Sequence, residues 1–218
     1  MRLLASESYN VAWFKLADFV ARGEKERALS VHKLLMHSVQ DEAIPYQLEG
    51  DILLAFDDDT ALDRYHVAAN LYKKAGKIKA AASVYEHVCM FKHEEKILEA
   101  LFDVYLLLQD RVSLLNTFSR LAKVCLEHNK FAFISNLFHR YLLESDISLQ
   151  GQLSIRFVRS LLLYDPTNKQ VSSYVYQVID VLHDQHDYEE ELLEFLSELE
   201  SLNKDMHAKA LQYIENNF

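Results

Sequence analysis

Apolar residues recur along this chain at i, i+3, i+4 and i+7, as in Trp13, Leu16, Ala17 and Val20, and again in Phe118, Leu121, Ala122 and Cys125. That spacing places them on one face of an α-helix. No period-two alternation competes with it. Polar breaks divide the pattern into about twelve predicted helices near 7–22, 24–39, 41–56, 59–75, 77–91, 94–109, 111–127, 129–144, 147–164, 166–185, 187–202 and 204–217. Gly23 and Gly76 suit left-handed helix ends, because they carry no Cβ. Asp165-Pro166 reads as an N-cap with proline at the first helical position, and Thr60 with Asp63 and Asp187 with Glu190 are spaced like capping boxes.

Composition narrows the class. The 218 residues hold four Gly and two Pro, too few for a turn-rich sandwich or barrel, and 50% are hydrophobic, too many for a disordered chain. The expected fold class is all-α. No Pro-, Gly- or Ser-rich linker interrupts residues 1–218, so one domain is expected. A net charge of −10 argues against nucleic acid as the main ligand, since no basic excess can displace phosphate counterions. The first residues lack the apolar core of a signal peptide, and charges interrupt each apolar run before it could span a bilayer. Cys89 and Cys125 are too few for a disulfide framework. The expectation is a cytoplasmic chain with no membrane insertion.

Pairing consecutive segments gives hairpins beginning near 7, 41, 77, 111, 147 and 187, at intervals of 34 to 40 residues. A period in the mid-thirties marks stacked helical hairpins, each too small to cover its own apolar face. Tyr65, Ala68, Ala69, Tyr72, Gly76, Ile78, Ala81, Tyr85 and Val88 follow the spacing of the tetratricopeptide repeat. Phe118, Leu121, Ala122, Cys125, Asn129, Phe131, Ile134, Phe138 and Tyr141 follow it nearly as well. Trp13, Leu16 and Ala17, with Ala28, His32 and Leu35, give a shortened copy, and Tyr46, Gly50, Leu53, Ala61, Tyr65 and Ala68 repeat it. The chain therefore resembles the tetratricopeptide-repeat family, most clearly over 7–144, with 145–218 divergent or capping.

The resemblance implies a right-handed α-solenoid of about six hairpins acting as a non-catalytic scaffold or adaptor, with no cofactor. It further implies a concave groove that takes a peptide or helix of a partner protein. An alternative role found within that family is a chaperone for secreted bacterial proteins; a separate alternative, suggested by the glutamate-rich segment near the carboxyl terminus, is an exported effector adaptor. The family's carboxylate clamp would need Lys and Asn where this sequence has Phe14, Asp18, Gln47 and Asp51; in the alternative register the positions hold His66, Asn70, Glu99 and Asp103. Asp18, Gln47 and Asp51 are thus candidate contacts to a neutral or basic segment. The end helices either cap the solenoid or pair with a second copy.

Residues 187–202 carry seven acids and no Lys or Arg, so most of the net charge lies in one helix. Glu190, Glu191, Glu194 and Glu198 form a candidate docking stripe for a basic partner, against the plainer reading of a solvated outer face. Glu190 with Glu194 and Glu194 with Glu198 are like-charged i,i+4 pairs, each unfavourable by about 0.2–0.5 kcal/mol. His183, Asp184, His186 and Asp187 make the closest histidine cluster, yet lack zinc-ligand spacing, and no metal is expected. Asp57, Asp58 and Asp59 precede a helix and read as dipole-complementing caps rather than a calcium loop. No phosphate-binding glycine loop or nucleophile elbow occurs, so no enzyme activity is expected. Most aromatics, Trp13 included, fall on packing positions.

Overall fold

The computed structural model describes residues 5–92, 94–184 and 188–218. Among them are twelve α-helices and no strand. The chain divides into two compact units, Met1–Lys92 and His93–Phe218. The first holds α1 (Ala5–Ala21), α2 (Lys25–Met36), α3 (Ile44–Ala55), α4 (Ala61–Lys74) and α5 (Ile78–Cys89). The second holds α6 (Glu95–Leu108), α7 (Arg111–Glu127), α8 (Phe131–Glu144), α9 (Ile147–Tyr164), α10 (Val171–His183), α11 (Tyr188–Leu202) and α12 (Lys204–Asn217). Packing is dominated by sequence neighbours, with α7 against α9 and α10 against α12 as the main additions in the second unit. This sequence-adjacent pairing is consistent with a helical repeat. No described helix is long and apolar enough to cross a membrane.

Helix ends account for the low glycine count. Gly23 and Gly76 have φ of 74° and 72°, and Asp57, Gln109 and Asn129 adopt the same left-handed region at φ of 53°, 55° and 57°. All five close their helices alike. At Gly23, for example, its own N–H reaches Val20 O at 3.1 Å and the Glu24 N–H reaches Phe19 O at 2.8 Å. The two bonds satisfy carbonyls that the ending helix leaves orphaned.

Helix starts correct two expectations. Asp165 ends α9, and α10 begins only at Val171. The Asp165 carboxylate accepts from Asn168 Nδ2 at 2.8 Å, while Asn168 Oδ1 accepts the Gln170 N–H at 2.9 Å, so Pro166 lies in a turn. Thr167 to Gln170 offer no apolar side chain to bury, whereas Val171 is buried. Thr60 makes no capping bond either, because its amide and hydroxyl both donate to Asp58 Oδ1, at 2.9 and 2.6 Å. The side-chain caps observed are Asp110 on α7, Asp146 on α9 and Asn203 on α12. Asp187 lies outside the described residues.

In the first unit Leu16, Ala28, Leu35 and Ile52 form a core onto which Trp13, Phe19 and Phe56 pack. Gly50, buried in α3, lies against the ring of Tyr65 on α4. The second unit is built on aromatics. Phe102 stacks on Tyr141 at 3.9 Å and Phe138 on Phe157 at 4.4 Å, with Phe118 and Tyr174 edge-on to Phe157.

Charged residues at hairpin ends pair across one repeat interval. Lys25 meets Asp58, Lys77 meets Asp41 and Lys92 meets Asp59 in the first unit. Lys130 meets Glu95 at 2.7 Å and Arg111 meets Asp146 in the second. Their separations in sequence are 33, 36, 33, 35 and 35 residues. The Lys25 ammonium, with the Thr60 donors, holds the Asp58 carboxyl well below the usual carboxylate range. Asp58 thus closes a turn and joins neighbouring hairpins at once.

Both cysteines are buried. Burial, reinforced by the Glu95 carboxylate, pushes the Cys125 thiol up to about 12. Since the thiolate is the reactive form, iodoacetamide at pH 8 is expected to leave Cys125 unmodified in the native protein and to alkylate it in denaturant, as read by mass spectrometry. Rapid native labelling would contradict this burial.

Candidate functional site

Each unit carries an open groove between alternate helices. In the second unit, a groove of about 330 Å³ is lined by α7, α9 and α11. From α7 come Val112 and Leu115, and from α9 come Gln152, Ile155, Arg156 and Arg159. Glu191, Glu194, Phe195 and Glu198 come from α11. On α9 and on α11 these residues fall at i, i+3, i+4 and i+7, the spacing of a single helical face. Val112 stands 71% exposed beside Leu115 and Phe195, which are buried. The result is an apolar floor between an arginine-bearing wall and a glutamate-bearing wall.

The walls are only partly neutralised. Arg159 forms an ion pair with Glu198. Arg156 and Glu194 line the groove without an ion pair among the described residues. Glu191 Oε2 is shielded from solvent and has no hydrogen-bond partner among the described residues. A sealed carboxylate oxygen without a donor is unfavourable by about 1–3 kcal/mol or more. Of the acidic stripe read from sequence, Glu191, Glu194 and Glu198 therefore face this groove, and Glu190 is exposed.

The first unit's groove lies between α3 and α5 and is lined by Asp51, Leu54, Ala55, Asp57, His87, Phe91 and Lys92. Asp51 Oδ1 accepts from Tyr65 Oη at 2.7 Å, and His87 Nε2 approaches it at 3.5 Å. The His87 ring meets Tyr65 and Phe91 edge-on at 5.8 and 5.3 Å. Burial and the Asp51 carboxylate push the Tyr65 phenol well above its ordinary range, so it stays a donor.

The candidates Asp18, Gln47 and Asp51 have different surroundings. Gln47 accepts from Tyr72 Oη at 3.1 Å, one turn before Asp51 on α3, so both of these side chains serve α4. Asp51 also lines the α3–α5 groove. Asp18 is exposed on α1 and pairs with Arg22 at 3.2 Å. Of the alternative set, His66 Nδ1 lies 3.2 Å from Tyr85 Oη and Glu99 pairs with Arg140.

Sequence reasoning missed Arg156 and Arg159, which lie where the repeat's small-residue positions fade. A signal existed for Arg159: it precedes Glu198 by 39 residues, close to the interval that separates the other opposite-charge pairs.

His183 stacks on Phe218 at 3.9 Å, while His186 and Asp187 lie outside the described residues. Among the described residues no group of three or more His, Cys, Asp or Glu is arranged to hold a metal ion. No protein-family model matches the chain, and no curated protein matches it in sequence. The geometry alone carries the functional argument.

Proposed function

We propose that this chain is a non-catalytic protein-interaction scaffold, an α-solenoid of the tetratricopeptide type. It takes a peptide or helix of a partner protein into the groove lined by α7, α9 and α11. One observation carries the reading: three alternate helices present matched faces to a single open groove whose floor is apolar and whose walls are charged. A groove built on helices is preformed, so docking costs the scaffold little ordering, and apolar anchors flanked by charge suit peptide recognition. The helical pairing and the ion pairs at repeat intervals support the solenoid reading.

Affinity capture with the full chain, followed by calorimetry with the captured partner, tests it. Val112→Glu places a charge on the groove floor at a position already exposed, so helicity and melting temperature should hold. Partner affinity should fall about tenfold or more, equivalent to about 1.4 kcal/mol. Unchanged affinity would remove the groove from the interface.

A further inference from the structure

We infer that the occupant of the α7–α9–α11 groove is a basic segment. It would bring one large apolar side chain onto Leu115 and Phe195 and a Lys or Arg onto Glu191 and Glu194. The inference rests on the scaffold reading and specifies the partner's chemistry. With Arg159 consumed by Glu198, the charges left facing the groove are one guanidinium on α9, Arg156, and two carboxylates on α11, Glu191 and Glu194. The imbalance favours a cation, and it favours one side: the α11 wall attracts it and the α9 wall repels it.

Glu191 strengthens the assignment. Its Oε2 is closed off from water yet receives no donor from the described residues. Once a rotation of the Glu191 side chain turns that oxygen into the groove, an incoming ammonium or guanidinium supplies the donor and forms the charge-assisted bond that the sealed carboxylate lacks. Size agrees, because about 330 Å³ accommodates an anchor side chain and an adjoining cation rather than a folded domain. From Gln152 to Arg159 the α9 wall advances seven residue steps, a length of about 10 Å, which matches about three residues of extended chain or two turns of helix.

Fluorescence anisotropy at low salt with three labelled 12-residue peptides tests this. All share a central Leu-Trp anchor and differ only in flanks of Lys, Gln or Glu. The Lys peptide should bind the full chain about tenfold tighter than the Gln peptide and tighter still than the Glu peptide, with the advantage shrinking as salt is raised. The isosteric double variant Glu191→Gln with Glu194→Gln should erase most of that advantage. Arg156→Gln should instead strengthen Lys-peptide binding several-fold, a gain that misfolding would not produce. Equal binding of Lys and Gln peptides, or a Lys advantage that survives the double variant, would overturn the inference. If those peptides still lose binding with Val112→Glu, the groove reading stands and only the charge assignment falls. If no peptide binds while the captured partner still requires Val112, the inference again falls alone.

Discussion

Replacing Phe157 with alanine should destabilise the second unit by about 3–5 kcal/mol, as read from the midpoint of urea unfolding with the slope unchanged. Phe157 is fully buried on α9, where aromatics from α7, α8 and α10 converge. Its ring stacks on Phe138 at 4.4 Å, meets Tyr174 edge-on at 4.9 Å and approaches Phe118 at 6.2 Å and Phe131 at 6.5 Å. Truncation therefore opens a cavity walled by rigid rings that cannot collapse into it, and it removes ring contacts worth about 0.5–1.5 kcal/mol each beyond area burial. Domains are stable by about 5–15 kcal/mol, so the loss is a large part of the total. A change below about 1.5 kcal/mol would show that the aromatic cluster is not the centre of this unit.

Gly50→Ala should also destabilise, by about 1–3 kcal/mol, although propensity alone favours alanine over glycine inside a helix by about 1 kcal/mol. A Cβ at this position would sit 2.9 Å from Tyr65 Cε1 and 3.0 Å from Cδ1 and Cζ. The ring has little room to retreat: Tyr65 is 1% exposed, and its hydroxyl is held by Asp51. Close approach of α3 to α4, rather than backbone freedom, is what this glycine supplies. Thermal melting of Gly50→Ala, Tyr65→Leu and the double variant separates the effects. The clash should appear as favourable coupling in the double variant. A Gly50→Ala protein that melts higher than the parent would refute the crossing described here.

The helices were legible because their apolar period survives along nearly the whole chain. Residues 111–127, 147–164 and 204–217 were placed to the residue, and each of these helices begins after a polar capping residue, Asp110, Asp146 and Asn203. The start of α10 was misplaced because Asp165-Pro166 satisfies a local rule, while the actual start depends on Asn168 and on where the first buried side chain falls. The site was less legible for a related reason. Periodicity says which residues share a face, but not which tyrosine will occupy a carboxylate there. Asp51 and Gln47 could be assigned to one face of α3, yet their bonds to Tyr65 and Tyr72 arise only once α4 is packed. Arg156 acquires meaning only opposite Glu191 and Glu194, roughly one hairpin further along the chain.

The ion pairs at hairpin ends also constrain how this chain can change length. Each of Lys25–Asp58, Asp41–Lys77, Asp59–Lys92, Glu95–Lys130 and Arg111–Asp146 joins positions separated by close to one hairpin. A single residue inserted into an intervening helix shifts everything beyond it by about 1.5 Å and turns it by about 100°, carrying donor away from acceptor. A whole hairpin added or removed instead leaves the faces of the following helices in register. Interactions confined to neighbours in this way tolerate duplication and excision of complete units, while small indels within a unit are penalised. A change of length by a whole hairpin, about thirty-five residues, keeps the helix faces in register, whereas drift in the length of any one helix does not.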